Sequence, residues 1–354
     1  LESVSRVLYA IKANDHPELL RMLASEGIHF ECVSMNEVRH VLDSVPGIRA
    51  QDILFTPNFA PRSEYLDALS SGVQLTVDNS WAIQQWPELF AGREIFLRLD
   101  LDTGYGHHKK VITSGADSKF GISLEHLLEV RQVLEGQGAR VTGLHAHTGS
   151  GVTNANVWRE QLDRFLELLP HFPDVRVIDL GGGLGVPDRP GQAAFDLGGM
   201  DRLLAEAVKG HEVELWLEPG RFLAAECGAL LARVTQLKTK GQYQYLGIAT
   251  GMNSLVRPAL YGAYHDIVNL SRLDQEPSQH YRVVGPICES GDVIGESRFL
   301  PPSHEGEVLL IANSGAYGRV MSSHYNRRNP AEELILGTDR ATGRSAAQSQ
   351  QKIG

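Results

Sequence analysis

Short apolar runs alternate with amphipathic segments over the first two thirds of the chain. In the amphipathic segments at 17–26, 62–70, 124–135 and 158–169, apolar residues recur close to helical spacing. Strand-like runs that alternate with helices are typical of a parallel sheet covered by helices. From the apolar runs we predict eight strands, at residues 7–11, 29–33, 53–56, 74–78, 95–100, 141–147, 177–181 and 214–218.

The number of strands and the placement of unusual residues both favour a closed barrel. Eight parallel strands are what a (β/α)8 barrel requires, and an open, doubly wound sheet is the competing architecture. Charged residues, a histidine and a glycine run collect where different predicted strands end, and a closed barrel brings such ends to one mouth. These residues are Lys12, Asp78, His147, the run at 181–183, Glu218 and Arg221. We therefore predict an α/β fold with an eight-stranded (β/α)8 barrel over residues 1–225.

The pattern changes near Cys227. Helical periodicity fades, and short β-like runs at 229–236, 245–249, 280–284 and 308–311 are separated by turn residues. We predict a smaller all-β domain over residues 226–336. The last segment, 337–354, is polar and has few bulky apolar residues, which predicts a disordered tail.

Composition and charge narrow the class of protein. Of the 354 residues, 42% are hydrophobic and 21% are charged, which is typical of a globular protein. The formal net charge of -10 argues against nucleic acid as the main partner. No apolar stretch approaches the ~20 residues that a membrane-spanning helix needs. The three cysteines, Cys32, Cys227 and Cys288, are sparse and lack C-x-x-C spacing, which favours a reducing, cytoplasmic setting over a disulfide framework.

The strongest candidate chemistry is the tetrapeptide Glu218-Pro219-Gly220-Arg221, which follows an apolar run. A carboxylate and a guanidinium at one strand end can hold a ring nitrogen and a phosphate, and Lys12 after the first strand can form an imine. Together they predict a pyridoxal phosphate site, in which we expect burial to lower the pKa of Lys12 and keep its amine available. The plain alternatives are a surface lysine and a salt bridge between Glu218 and Arg221.

Two histidines near another strand end leave three interpretations open. His145 and His147 are alternate residues that face the same side of a strand, so they are a candidate metal pair. With Lys12 they give the hypothesis of a metal-dependent barrel hydrolase, although no second histidine cluster at a strand end completes the ligand set. In the cofactor interpretation, which we favour, His147 lies flat against the ring and Ser150 lies near the phosphate. A packed core histidine is the third interpretation.

A glycine run is a candidate phosphate contact. Gly181, Gly182 and Gly183 follow a predicted strand, and consecutive glycines let backbone N–H groups approach a phosphate closely. A plain tight turn explains the same run equally well. The run does not have the G-x-x-x-x-G-K-[ST] pattern, which argues against a nucleoside triphosphate.

The β-rich part of the chain has its own candidates. Cys288 adjoins acidic residues and a glycine, an unusual setting for a core cysteine, so we predict Cys288 as a proton donor and Glu289 as the partner of a substrate ammonium. Arg257 and Tyr261 are four residues apart and share a face if they are helical. The arginine either binds a carboxylate or is a stacked, structural arginine. Tyr317 either gives its hydroxyl to a phosphate or is a turn tyrosine.

A long polar loop in the first half of the chain predicts a lid. The loop contains the polar stretch at 107–110 and the sequence S-K-F-G-I at 118–122. Its length favours a segment that covers the site, and a charged, solvated loop is the alternative.

Eight short motifs follow one another along residues 7–335. They are Y-A-I-K-A-N at 9–14, S-K-F-G-I at 118–122, G-L-H-A-H-T-G-S at 143–150, G-G-G at 181–183, E-P-G-R at 218–221, R-P-A-L-Y at 257–261, C-E-S-G-D at 288–292 and G-A-Y-G at 315–318. In this order they resemble the fold-type III pyridoxal phosphate decarboxylases, and among them the diaminopimelate decarboxylases. Each motif is weak or moderate by itself, and together they are highly specific.

The resemblance implies an alanine-racemase-like barrel followed by a β domain, in a homodimer with shared active sites. It implies that Lys12 is the Schiff-base lysine and that Cys288 is the proton donor in the site of the partner subunit. The implied reaction is the decarboxylation of meso-2,6-diaminopimelate to L-lysine and carbon dioxide, the last step of bacterial lysine synthesis. The implied cofactor contacts are Gly183, Glu218, Pro219, Gly220, Arg221 and Tyr317, and the implied substrate contacts are Arg221, Arg257, Tyr261, Glu289 and Tyr317.

Two residues favour diaminopimelate over ornithine as the substrate. Arg257 and Glu289 match the carboxylate and the ammonium of the second amino-acid head of diaminopimelate. Ornithine has only a distal amine and would leave a buried arginine unpaired, which is costly. The alternatives are an ornithine- or arginine-like decarboxylase, a non-catalytic cofactor-binding relative and the metal-dependent hydrolase.

The chain departs from the family pattern near both ends. Only eleven residues precede Lys12, where family members carry a longer segment that usually adds strands to the β domain. The stretch 337–354 does not resemble the last strand and helix of the family. The sequence H-T-G-S-G at 147–151 resembles the version found where such a decarboxylase is fused to an aspartate kinase. We therefore expect one piece of a longer or altered product, with a kinase fusion as one form of it.

Overall fold

Eight parallel strands close into a barrel in the computed structural model, which describes residues 1–101, 105–106 and 118–336. The ring consists of β1 (Val4–Ala10), β2 (His29–Cys32), β3 (Ile53–Phe55), β4 (Gln74–Val77), β5 (Glu94–Asp100), β8 (Arg140–His145), β10 (Val177–Asp179) and β11 (Glu214–Leu217). The short strands β6 (Tyr105–Gly106), β7 (Ile122–Ser123) and β9 (Gly149–Ser150) lie outside the ring.

The pairing of the strands settles the choice between a barrel and an open sheet. β4 pairs with β5, and β11 pairs with β1, so the ring has no free edge. The predicted barrel is therefore confirmed, and the competing open sheet is wrong. All eight predicted strands are present, with ends that differ by up to three residues from the predicted ends.

Helices on the connections cover the outside of the ring. They are α1 (Pro17–Ser25), α2 (Met35–Ser44), α3 (Arg62–Ser71), α4 (Ser80–Gln85), α5 (Leu127–Gly136), α6 (Asn156–Leu168) and α7 (Leu197–Val208). On α6, Trp158, Leu162 and Phe165 recur at helical spacing and are buried. The four predicted helices are confirmed as α1, α3, α5 and α6.

A second sheet of six strands follows the barrel. Its strands are β12 (Leu230–Lys240), β13 (Tyr243–Ile248), β14 (Ile267–Asn269), β15 (Gln279–Val284), β16 (Val293–Leu300) and β17 (Val308–Ile311), in the order β14-β17-β12-β13-β15-β16. All pairs are antiparallel except β13–β15. The four predicted β runs are confirmed as β12, β13, β15 and β17. Two further short helices are α8 (Arg221–Ala224), which follows β11, and α9 (Arg257–Tyr261), which lies between β13 and β14.

The two sheets have separate hydrophobic cores. The larger core includes side chains of the barrel and its helices, and the smaller one consists of β-domain side chains such as Leu246, Val283 and Leu309. In the described part of the chain, no helix has the length and apolarity that crossing a bilayer demands. The predicted tail at 337–354 lies outside the described residues.

Candidate active site

A cavity of about 400 Å3 opens where the barrel strands end. Its walls combine residues near or after the ends of β1, β2, β3, β5, β8, β10 and β11 with one residue of the β domain. The lining residues are Ala10, Lys12, Glu31, Val33, Thr56, Asn58, Arg98, Lys119, Phe120, His145, His147, Ser150, Gly183, Leu184, Glu218, Pro219, Gly220, Arg221, Phe222 and Tyr317. The barrel thus brings distant strand ends to one mouth, as parallel topology requires.

Lys12 lies on a 3-10 turn (Ile11–Ala13) directly after β1, and its Nζ is 2.5 Å from Glu31 Oε2 on β2. Burial favours the uncharged amine and is the largest single influence on Lys12. The charge and hydrogen bond of Glu31, together with Tyr317 and Glu218, outweigh it, so the pKa of Lys12 is raised. Thr56 donates a hydrogen bond to the same carboxylate. The expectation that burial lowers the pKa of Lys12 is therefore wrong, because it left out Glu31.

Glu218, His145 and Asp179 form a buried cluster in which one polar atom of each side chain lies within 4.8 Å of those of the other two. His145 Nε2 is 3.2 Å from Glu218 Oε2, and Asp179 Oδ1 accepts the N–H of Gly181 at 2.9 Å. Two carboxyl groups this close in a dry site do not both ionise. Burial and the charge of Glu218 raise the pKa of Asp179 well above its usual range. Burial also opposes the ionisation of Glu218, but His145 and Lys12 outweigh it and lower its pKa.

His147 lines the cavity as a neutral imidazole. Its Nδ1 accepts the N–H of Gly182 at 3.1 Å. Burial, together with the positive charges of Arg98 and Lys12, lowers the pKa of His147 to about 3. Because His145 Nε2 is directed at Glu218 and His147 Nδ1 at a backbone amide, these two nitrogens do not converge on a common ion.

The structure narrows the prediction for the glycine run. The N–H of Gly181 donates to Asp179 and that of Gly182 donates to His147, so neither is available to a phosphate. Of the three glycines, Gly183 lines the cavity. Gly183 has a φ of +95°, and a Cβ there would lie 2.6 Å from the carbonyl oxygen of Gly149. The close approach of two backbones therefore requires glycine at this position.

Arg221 at the start of α8 is directed at Ser150 and Tyr317. Its Nη2 donates to Ser150 Oγ at 3.1 Å, and its guanidinium lies 5.0 Å from the centroid of the Tyr317 ring. Glu218 and Arg221 do not form an ion pair in the described residues, because Glu218 contacts His145 instead. The plain alternative of a salt bridge between them is therefore wrong. The N–H of Tyr317 donates to the carbonyl of Ala13 at 2.7 Å, which ties the β domain to the turn of the lysine.

Arg257 and Tyr261 share the short helix α9, as their spacing predicts. Arg257 is buried, and its Nη1 is 3.2 Å from His265 Nε2. His265 Nδ1 is 2.8 Å from the carbonyl of Ala312, so Nδ1 carries the hydrogen and Nε2 accepts from the arginine. Burial lowers the pKa of His265 to about 4 and that of Arg257 to about 10, where the charge of Arg221 adds to the effect.

Cys288 and Glu289 lie on an exposed loop before β16, outside the lining of the cavity in the same chain. Asp292, which is buried beneath this loop, fixes its backbone. The buried Asp292 carboxylate accepts the N–H of Met252 at 2.6 Å and that of Ile287 at 2.7 Å. One chain therefore brings together the predicted lysine, histidine, Glu218, Arg221 and Tyr317, and leaves the predicted proton donor at the surface.

Sequence reasoning missed several residues of the site. Glu31 and Arg98 lie within apolar strands, and a charged residue inside such a run was the signal that could have revealed them. Arg98 is buried, and its guanidinium lies 4.5 Å from the centroid of the Phe120 ring. Asp179 lies within a predicted strand and His265 lies four residues after the R-P-A-L-Y motif, and neither had an assigned role. Asp179 meets Glu218 and His145, which are more than thirty positions away, and the contact of His265 with Arg257 depends on how the chain turns after α9.

The predicted lid is only partly within the described residues. The polar stretch at 107–110 lies outside them. Lys119 and Phe120, from the S-K-F-G-I motif, line the cavity. A lid over the site stays a prediction.

The comparison with protein families identifies the class of the barrel. The family model described as "Pyridoxal-dependent decarboxylase, pyridoxal binding domain" matches residues 2–225, more than half of the chain. Its match begins before the turn that contains Lys12 and ends after the helix that begins with Arg221. The part of the chain that it covers therefore contains most of the cavity wall.

Individual relatives narrow the class. Diaminopimelate decarboxylase of Methanothermobacter thermautotrophicus is 35% identical, over 93% of this chain and 80% of the relative. The enzyme of the same name from Escherichia coli is 31% identical, over 96% and 86%. The crystal structure of diaminopimelate decarboxylase from Helicobacter pylori complexed with L-lysine superposes with a TM-score of 0.84 at 27% identity, over 92% and 83%. The chain belongs to the pyridoxal-dependent decarboxylases and, within them, to the diaminopimelate decarboxylase family.

Proposed function

We propose that the protein decarboxylates meso-2,6-diaminopimelate to L-lysine and carbon dioxide with pyridoxal phosphate as its cofactor. Family membership and the names of the relatives support this reaction. One observation carries the proposal. Lys12, Glu218 and Arg221 meet at a single cavity, although they follow the first and last strands of the barrel.

The residues of the cavity fit pyridoxal phosphate. Glu218 Oε1 is buried and has no hydrogen-bond partner among the described residues, so it can accept an N–H from a ring nitrogen. Arg221, Ser150 and Tyr317 supply a cation and two hydroxyl groups for a phosphate. We propose that the cofactor is held by Lys12, His147, Ser150, Gly183, Glu218, Pro219, Gly220, Arg221 and Tyr317, with Gly181 and Gly182 supporting the wall.

Lys12 has to lose a proton before its Nζ can bond to a carbonyl carbon. Glu31 holds the ammonium form at 2.5 Å and is the nearest described carboxylate that can accept this proton. Thr56 keeps the carboxylate of Glu31 in place. We therefore expect Glu31 to control when the amine of Lys12 becomes nucleophilic.

Glu218 is placed to hold a positive charge on a ring nitrogen. When bound, pyridoxal phosphate supplies an electron sink for the pair that remains on the substrate Cα after carbon dioxide leaves. The ionised Glu218 stabilises the protonated ring nitrogen, and the contact with His145 keeps the negative charge on Glu218. The neutral ring of His147 can lie against the cofactor without adding a competing cation.

Arg257 and Glu289 are the proposed contacts for the distal amino-acid head of the substrate. Arg257 is oriented by His265, and its buried Nε has no hydrogen-bond partner among the described residues. A guanidinium in this position suits a carboxylate, and Glu289 suits the ammonium of the same head. Tyr261 shares α9 with the arginine and is the third proposed contact.

We propose that two chains form a homodimer with shared active sites. Cys288 and Glu289 are exposed, and neither lines the cavity of its own chain. A second copy that covers the mouth would add both side chains, and Cys288 would then deliver a proton to the substrate Cα. We also propose the domain limits 1–225 and 226–336. The cytoplasmic setting and the aspartate kinase fusion stay predictions from the cysteine content and from the sequence at 147–151.

One assay tests the reaction and its substrate together. Carbon dioxide release is measured from meso-diaminopimelate, ornithine, lysine and arginine, with added cofactor. We expect turnover of meso-diaminopimelate alone, and the yellow absorbance of a lysine-bound cofactor that disappears in Lys12→Ala. The exposed Lys209→Ala variant is the matched control and should keep both properties. A colourless wild type saturated with cofactor, or a preference for ornithine, contradicts the proposal.

The cluster of His145, Asp179 and Glu218 is the one observation that favours a metal-dependent enzyme instead. That function predicts a bound ion in the purified protein and turnover without pyridoxal phosphate. Metal analysis of the purified protein, compared between wild type and Asp179→Asn, decides between the two functions.

A further inference from the structure

The segment at 323–331, which we call the strap, has an unusual backbone beside the Cys288 loop. Two consecutive residues that are not glycine, Asn326 and Arg327, have left-handed φ angles of +55° and +56°. Such residues are uncommon, and two in succession persist only where surrounding contacts fix them. The contacts of the strap therefore indicate what this conformation achieves.

The strap contacts the two predicted functional residues of the loop directly. Asn326 Oδ1 accepts the backbone N–H of Cys288 at 2.6 Å. The neighbouring residue, Tyr325, donates its hydroxyl hydrogen to Glu289 Oε1 at 2.9 Å. Two adjacent residues of the strap thus hold two adjacent residues of the loop. The left-handed conformation of Asn326 is what turns the chain between these two contacts.

The strap and the loop are anchored on the same buried turn. Asn253 is buried, its carbonyl accepts the N–H of Ser323 at 2.9 Å, and its Nδ2 donates to the carbonyl of Asn329 at 3.2 Å. The next residue along the chain, Ser254, accepts the N–H of Ala331 through its Oγ at 2.9 Å. The N–H of Met252, the residue before Asn253, donates to the Asp292 carboxylate that fixes the loop. Strap and loop are therefore positioned relative to one common base.

We propose that Tyr325 and Asn326 are positioning residues, which set the Cys288 backbone and one carboxylate oxygen of Glu289 for use in the partner's site. This inference rests on the proposed function of Cys288 and Glu289. Asn326 fixes where the thiol projects, because it holds the backbone amide of the same residue. Tyr325 occupies Glu289 Oε1, so that an incoming substrate ammonium meets the other oxygen of this carboxylate.

The role of Asn326 is tested in the dimeric holoenzyme with a Cys227→Ser background. Cys32 is buried, so alkylation by iodoacetamide then reports on Cys288. Asn326→Gly tolerates the left-handed φ but removes the acceptor. We expect kcat to fall by about 10²-fold, as for a small misplacement of a reacting group, and the alkylation of Cys288 to become faster. Asn326→Asp keeps an acceptor oxygen and should restore most of kcat.

Arg327→Gly is the matched control, because it relieves the second left-handed residue and leaves both contacts intact. We expect kcat within about twofold of the parent, as for an ordinary surface substitution. Tyr325→Phe should raise KM for meso-diaminopimelate by about tenfold with a smaller change in kcat, the usual size of a lost hydrogen bond to a charged group.

Two outcomes overturn the inference. One is an Asn326→Gly variant with the parent kcat and the parent alkylation rate. The other is an Arg327→Gly variant that loses as much kcat as Asn326→Gly, which would show that the strap matters only as a whole. Failure of the proposed function is distinguishable, since a Cys288→Ala variant with full activity removes the role of the thiol, whereas the alkylation rates still decide whether Asn326 positions it.

Discussion

The barrel cavity and the Cys288 loop hold their functional groups in opposite ways. In the cavity, charged side chains are paired with one another, as the partly exposed Lys12 is with the buried Glu31, and the buried Glu218 is with His145. On the loop, Cys288 and Glu289 are exposed, and what is fixed is the backbone. The charged groups of the cavity therefore find their ion-pair partners within one chain. In the proposed homodimer the loop, in contrast, forms part of a site only when a second chain covers it.

The comparison shows why the two regions respond differently to change. A buried charge that loses its partner has no water to replace it, so substitutions in the cavity act through desolvation and pKa. Substitution of an exposed side chain on a fixed backbone changes the free energy of unfolding only slightly, so its effect appears in turnover. Changes in the cavity should therefore be visible in one chain by itself, and changes on the loop should depend on a second chain.

The largest expected effect comes from combining one variant of each region. Lys12→Ala and Cys288→Ala alone should each lose at least about 10²-fold in turnover, the lower end for a general acid or base. Co-expression should recover about a quarter of the wild-type activity, because half of randomly formed dimers are mixed and each mixed dimer has one intact site. Carbon dioxide release per dimer measures the recovery.

Its control replaces Cys288→Ala with the double variant Lys12→Ala/Cys288→Ala. No mixed dimer then has an intact site, so activity should stay at the background level. Equal activity of the two mixtures would mean that Cys288 acts within its own chain, and the contrast between a self-contained cavity and a shared loop would fail.

A smaller expected effect is a pH dependence of stability caused by Asp179 in the cavity. Asp179 keeps its proton in the folded protein, because burial and Glu218 raise its pKa well above the unfolded value of about 3.9. Above that pH the unfolded chain has released a proton that the folded chain still holds. The contribution of Asp179 to stability should therefore fall with rising pH, by about 1.4 kcal/mol per unit, up to its folded pKa.

Asp179→Asn removes this slope, since asparagine is neutral in both states. Relative to the wild type, the variant should gain stability as the pH rises above about 4, as measured by urea unfolding of the protein without cofactor. The matched variant Glu218→Gln removes the charge that raises the pKa of Asp179, so the fall from Asp179 should end at a lower pH. Parallel curves for wild type and Asp179→Asn would show that Asp179 is ionised in the folded protein.

The barrel was predictable because its determinants are local and periodic. Each of the eight strands is an apolar run with a polar or glycine-rich end, and parallel topology alone then places the ends of strands at one mouth. Lys12 and Glu218 were found in this way. β14 and β16 were missed, since β14 has only three residues and the apolar pattern of β16 is interrupted by Glu296, Ser297 and Arg298.

The electrostatics of the site was less predictable than its location. The pKa of Lys12 depends on Glu31, a residue on a neighbouring strand whose carboxylate points to the cavity only after the barrel closes. The neutral state of Asp179 likewise depends on contacts with residues more than thirty positions away. Local patterns give the type of a side chain, and the net effect of its partners requires three-dimensional distances.

The smallest expected effect is a pH dependence of stability caused by His265 in the β domain. Burial lowers the pKa of His265 to about 4, below the unfolded value of about 6.5. Between about pH 4 and 6.5 the unfolded chain binds a proton at His265 that the folded chain excludes. The contribution of His265 to stability should therefore rise with pH by about 1.4 kcal/mol per unit, opposite in sign to that of Asp179. His265→Gln should remove the contribution of His265 in the same urea titration. His147 in the cavity, whose pKa is also lowered, should still contribute a rise in this range. Because glutamine can still accept from Arg257, the contact is kept, and a variant whose pH dependence equals that of the wild type would show that His265 does not contribute.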